Sequence, residues 1–211
     1  MPKMDYRKII IPFLSKAEIK SKADLFRKRF WNKSVPVDIE NIIEISLKIS
    51  LVPVPGFQDL CDADALIASN WRYIYVDNDR YLDERYRNRL KFSLAHEMGH
   101  FILHKEVYQS FNIKGWNDYY KLLKEFPQEQ YGYLEFQANS FANYLLVPRD
   151  VLAFEKGKAL EKFKRNVNFA QLKKVDTDTL NSYLAIPISK VFEVSDSVIY
   201  YALNKLEELE K

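Results

Sequence analysis

At 211 residues the chain is long enough for one sizeable hydrophobic core with a small appendage. Apolar residues at 47% and charged residues at 29% fit a soluble globular protein and exclude a disordered one. With 32 basic and 29 acidic residues the net charge is +3, too close to neutral to argue for a nucleic-acid partner. The single cysteine, Cys61, excludes an internal disulfide. The apolar run Ile9 to Leu14 is too short for a membrane span and is broken by Pro12. No small-residue cleavage site follows it, so a cytoplasmic protein is expected.

Taken in order, residues 15–31 read as a helix. Ser15 is its N-cap and Glu18, three residues on, completes a capping box. Ala17, Ile19, Ala23, Leu25, Phe26 and Phe30 give the apolar stripe. Ser34-Val35-Pro36 breaks it. Val37 to Ile49 reads as a second helix that buries Ile39, Ile42, Ile43, Ile45 and Leu47. The period then changes. Leu51–Val54, Asp64–Ala68 and Tyr73–Val76 read as strands rich in β-branched and aromatic residues, predicting a small antiparallel sheet of about three strands. Asp77-Asn78-Asp79 starts a long helix that runs through His104. Residues 105–130 form an aromatic-rich connection with a short helix over Trp116–Glu125, ended by Pro127. Tyr131–Leu146 is a strong helix. Arg149–Arg165 is helical and basic, a less regular stretch reaches about Asn181, and Ser182–Lys211 is helical again. Strands first and helices after give an α+β class, mostly helical.

The long helix carries His96-Glu97-Met98-Gly99-His100, an HExxH pattern. Residues four apart stand one above the other on a helix, so His96 and His100 can hold one metal ion together. Neutral imidazoles suit Zn²⁺. Glu97 projects from an adjacent side, where a carboxylate can serve as general base toward water. All three histidines of the chain fall between His96 and His104, a clustering that scattered core histidines would not show. A third protein ligand must come from elsewhere. His104 starts roughly 9 Å further along the axis than the midpoint of the pair, too far without a break in the helix, and a role in support of the ligands or a structural one is expected for it. Cys61 or a carboxylate remains. Glu135 shares a face of the next strong helix with Asn139 and Ala142, and Ala138 lies close to it. These small residues would let that helix approach Ala95 and Gly99. Spacing alone leaves Glu135 open against Glu84, Glu106 and Glu129.

Two stretches resemble the ImmA/IrrE family of zinc-dependent metallopeptidases. They are Arg89-Leu90-Lys91-Phe92-Ser93-Leu94-Ala95-His96-Glu97-Met98-Gly99-His100 and Glu135-Phe136-Gln137-Ala138-Asn139-Ser140-Phe141-Ala142-Asn143-Tyr144-Leu145-Leu146-Val147-Pro148. Lys91 stands where the family usually has arginine, Ser93 where it has threonine, and Gln137 where it has glutamate. The resemblance, which covers roughly residues 15–150, implies a zincin-like catalytic region over 1–148 followed by a helical extension over 149–211 in the same compact unit. It implies that His96, His100 and Glu135 bind Zn²⁺ and that Glu97 is catalytic. It further implies proteolysis of a regulatory partner. Several family members resemble anti-repressors that cleave a helix-turn-helix repressor encoded nearby, which would make this chain a transcription regulator by proteolysis. The competing reading is a binding module that sequesters a repressor or toxin without cutting it.

Peptide hydrolysis also needs a donor for the tetrahedral oxyanion. Tyr73, Tyr75, Tyr131 and His104 are candidates, and the edge of the small sheet could bind substrate as an added strand. Residues 186–203 have a helix-turn-helix look, with one helix ending near Phe192 and Ser195 capping the next. Asp196 to Leu203 carries no basic residue, so direct DNA binding is not expected and packing or partner docking is.

Overall fold

The computed structural model describes residues 6–32, 35–166 and 176–208. Two compact units are distinguished, Met1–Asn32 with Asp38–Leu145, and Lys33–Val37 with Leu146–Lys211.

The first unit opens with a 3-10 turn at Tyr6–Lys8 and a segment without regular structure, residues 9–14, whose Ile11 is buried. Helix α1 (Lys16–Phe30) has the expected capping box: the Ser15 side chain accepts from Glu18 N–H and the Glu18 carboxylate accepts from Ser15 N–H. Ile19, Ala23 and Phe26 are its buried stripe, while Leu25 is exposed. The second expected helix is shorter and irregular. Asp38 caps α2 (Ile39–Asn41), which widens at once into a π turn over Ile42–Ser46, closed by Leu47 N–H on the Ile42 carbonyl. The wider turn keeps Ile42 and Ile43 buried but rotates Ile45, expected in the core, out to solvent.

Strands β1 (Ser50–Val54), β2 (Ala65–Ile67) and β3 (Tyr73–Asp77) form one sheet in the order β1-β3-β2. Three strands were expected and three are present, but the all-antiparallel pairing is corrected. β2 and β3 are antiparallel, whereas β1 and β3 are parallel, with Leu51 opposite Ile74. The chain from Val54 to Tyr73 passes through helix α3 (Phe57–Cys61) and β2, which is long enough for the crossover that parallel neighbours require. Pro53 is tolerated because β1 lies at an edge.

The long helix expected from Asp77 is divided. Helix α4 (Asn78–Leu82) ends where Asp83 turns extended and caps a 3-10 turn over Glu84–Tyr86. Helix α5 (Arg87–Leu103) follows, then α6 (Lys105–Phe111), α7 (Trp116–Glu125) and α8 (Gln128–Leu146). The class is α+β and mostly helical, as expected. No helix among the described residues is long and apolar enough to cross a membrane.

The second unit holds α9 (Arg149–Asn166), α10 (Thr177–Phe192) and α11 (Asp196–Glu208). Glu193 in left-handed conformation ends α10, and Ser195 accepts from Val198 N–H at the start of α11. Asn181 Nδ2 donates to Asn204 Oδ1 across this helical pair at 2.8 Å, and Arg149 Nη1 donates to the Ala202 carbonyl at 2.7 Å. The expected end of the last helix at residues 209–211 lies outside the described residues, as does most of the expected irregular stretch.

Candidate metal centre

The site begins with a close approach of α5 and α8. A Cβ on Gly99 would lie 2.8 Å from Ala138 Cα and 2.9 Å from its carbonyl oxygen. Only a residue without a side chain fits there, and Ala95, Ala138 and Ala142 around the crossing are fully buried. Backbones in contact bring the side chains one turn away within reach of each other. His96 and His100 stand one above the other on α5, with their Nε2 atoms 2.9 Å apart. Glu135 on α8 presents a different oxygen to each: Oε2 is 3.3 Å from His96 Nε2 and Oε1 is 3.6 Å from His100 Nε2. A tetrahedral metal ion with bonds near 2.0–2.1 Å spaces its ligand atoms by about 3.3 Å. The three separations bracket that value, so two imidazoles and one carboxylate fit a divalent metal such as zinc.

Glu97 also borders this point. Its donor atoms lie within 4.8 Å of those of His96 and His100. The two carboxylates differ in what already holds them. Glu97 Oε2 accepts the backbone N–H of Ile67 at 2.7 Å, which ties the side chain to β2. Both oxygens of Glu135 face the imidazoles. The geometry therefore separates a carboxylate that faces both imidazoles from one anchored to the sheet beside them.

Each outer ring nitrogen is engaged. His96 Nδ1 lies 2.9 Å from Asn139 Oδ1, one turn beyond Glu135 on α8. His100 Nδ1 lies 3.1 Å from His104 Nδ1, and His104 Nε2 lies 3.0 Å from Gln137 Oε1. The ring of Tyr108, from α6, packs 5.1 Å from that of His100. His104 is the C-cap residue of α5 and is buried, with its ring nitrogens on His100 and Gln137.

Burial sets the charges. It pulls the His96 imidazolium down, but the hydrogen bond and charge of Glu135, the charge of Glu97 and the bond to Asn139 raise it to about 9. Burial raises Glu97 to about 7, opposed by His96 and the Ile67 N–H. It lowers His100 well below the usual imidazole value, helped by the two neighbouring imidazoles, and lowers His104 to about 4.

A cleft of about 240 Å³ opens onto these groups between β2, α5, α7 and α8. Bonds from Asp77 N–H to the Asp64 carbonyl and from Ala68 N–H to the Tyr73 carbonyl show which residues of β2 face β3. By alternation, Ala65 and Ile67 turn their backbone groups away from β3, and Ala65 lines the cleft. Tyr131 lines it too, with its hydroxyl 3.0 Å from that of Tyr119. Of the other expected oxyanion donors, Tyr75 donates to the Lys114 carbonyl and Tyr73 is exposed on β3. Sequence reasoning missed Asp64 at the rim, whose buried carboxylate accepts from Arg80, Arg89 and Ser93. It also missed the roles of Asn139 and Gln137. Their spacing of four and two residues from Glu135 was the available signal.

The family model of the IrrE N-terminal-like domain, a peptidase family designated M78, matches residues 81–204. The chain belongs to that family. A comparison with curated proteins finds no match. Membership in the IrrE N-terminal-like family makes the function metallopeptidase-like and the substrate a protein. The matched span holds the whole histidine cluster and Glu135, and the family relation expected from the two stretches is thereby established.

Proposed function

We propose that the protein is a zinc-dependent endopeptidase in which His96, His100 and Glu135 hold Zn²⁺ and Glu97 is the catalytic acid-base. The observation that carries this is the convergence of two imidazole nitrogens and a carboxylate, at 2.9, 3.3 and 3.6 Å, at the foot of a cleft bordered by an open sheet edge. When bound, zinc supplies a Lewis acid that acidifies water and polarises a carbonyl.

The chain's own residues do the rest. Glu97, pushed up to about 7 by burial, is suited to take a proton from water and return it to the leaving amine near neutral pH. The Ile67 N–H holds one of its oxygens and leaves the other for that exchange. The substrate would lie as an added strand along Ala65, and Tyr131 is the phenol best placed to donate to the oxyanion. The substrate is proposed to be a regulatory protein, a helix-turn-helix repressor encoded nearby, which would place the enzyme in the cytoplasm as an anti-repressor. The family relation supports the peptidase part.

Incubating the zinc-loaded protein with that repressor tests the reading. Cleavage is expected, and Glu97→Gln should lower its rate by about 10²–10⁴ with zinc retained. Full activity in Glu97→Gln would remove Glu97 from its role. A stable uncleaved complex with the zinc-loaded wild type would favour sequestration instead.

A further inference from the structure

The hydrogen bonds of His104 run in one direction, and that direction is set far from the metal centre. Residues 9–14 are tied to α8 at two points: Ile11 N–H donates to Gln130 Oε1 at 2.7 Å and Gln137 Nε2 donates to the Pro12 carbonyl at 2.9 Å. Gln130 and Gln137 are two turns apart on one face of that helix. A carbonyl oxygen only accepts, so the Gln137 amide must turn its NH₂ to Pro12 and its Oε1 to His104. An amide oxygen also only accepts, so the His104 proton sits on Nε2, 3.0 Å away. His104 is 2% exposed and its ring nitrogens meet an amide and another imidazole, which leaves it neutral. Its Nδ1 is then a bare lone pair, 3.1 Å from His100 Nδ1. Two lone pairs do not face each other in a buried contact, so His100 carries its proton on Nδ1. Its Nε2, the atom turned toward His96 and Glu135, is left as a lone pair.

We propose that residues 9–14 are a positioning element for the metal centre: through Gln137 and His104, the Pro12 carbonyl fixes the His100 tautomer that offers Nε2 to a metal ion. The inference rests on the metal-binding role given to His100, but the tautomer is a property of the metal-free protein. Partners on the far nitrogen of a metal-binding imidazole orient the ring and raise its basicity, and losing one costs tenfold to a hundredfold in metal affinity. Here that partner is itself held by a backbone carbonyl, so the docking of residues 9–14 and the readiness of the centre are coupled.

The test is ¹⁵N NMR of the imidazoles in the metal-free full chain, beside zinc titration against a chelator. Wild type should carry the His100 proton on Nδ1. Gln137→Met removes both bonds and should mix the tautomers and weaken zinc binding about 10–100-fold. Gln130→Leu leaves Gln137 intact but frees the segment's other anchor, and should give the same change in smaller degree. A merely structural role predicts lower melting temperatures with the tautomer unmoved in Gln137→Met and Gln130→Leu, which would overturn the proposal. So would a wild-type His100 protonated on Nε2. A wild type with the expected tautomer that takes up no zinc would uphold the relay and sink the metal assignment instead.

Discussion

A proton that Glu135 favours on His96 would govern how the proposed centre takes up metal. An imidazole binds metal only when neutral, and His96 in the metal-free protein is raised to about 9. Below that value zinc must displace a proton. Apparent zinc affinity should therefore rise about tenfold per pH unit between roughly pH 7 and 9 and then level off. Chelator competition across this range measures it. In Glu135→Gln the first cause of the raised value is gone, so the plateau should begin at lower pH and sit at weaker affinity. A flat profile in wild type would mean that His96 is not a ligand. At this scale the histidines and Glu97 were legible because four-residue spacing on a helix is a geometric statement. Glu135 was legible from spacing only as one of several acids, and its rank came from the family resemblance. The Ile67 N–H that anchors Glu97 left no trace at all, since a backbone donor is the same at every non-proline residue.

The crossing of α5 and α8 is where one element's chemistry depends on another's bulk. A glycine inside an exposed helix costs about 1 kcal/mol relative to alanine, so Gly99→Ala on a free surface would stabilise. At this crossing the added methyl would meet backbone at 2.8 and 2.9 Å. Overpacking of this kind costs about 1–3 kcal/mol, so the sign should reverse. Gly99→Ala should lower the melting temperature and weaken zinc binding as the helices part. Adding Ala138→Gly should not rescue it, because that change removes only the Cβ contact at 3.2 Å. Calorimetry of the single and double variants reads this directly. The same crossing was legible in part: small residues on both stretches pointed to a close approach. The capping box of α1 and the bounds of α7 were legible too, because local hydrogen bonds and Pro127 fix them. The parallel pairing of β1 with β3 was not, since strand direction depends on a crossover and not on the strand's own residues. Nor was α6, whose aromatic-rich sequence shows no clear helical period although it seats Tyr108 against His100.

Over the whole molecule, the family match spans 81–204, yet two parts of the proposed machinery precede it. One is residues 9–14, bonded to α8. The other is the edge of β2, where Ala65 faces the cleft. Ala65→Pro removes an edge N–H where proline is tolerated. If substrate pairs there, the change should raise KM by about two- to tenfold, the worth of one hydrogen bond, with zinc content unchanged. Equal KM values would place the substrate elsewhere in the cleft. The substrate itself was out of reach of the sequence, because recognition of a partner depends on that partner's surface as much as on this one.

The proposed activity depends on a metal ion held between α5 and α8. Its most direct test is zinc stoichiometry by mass spectrometry after purification without chelator, zinc re-supply and exhaustive dialysis. One zinc per chain is predicted for wild type and Glu97→Gln, with little retained in His100→Ala or Glu135→Ala. Zinc absent from the wild type, or retained in full by both ligand variants, would contradict the account.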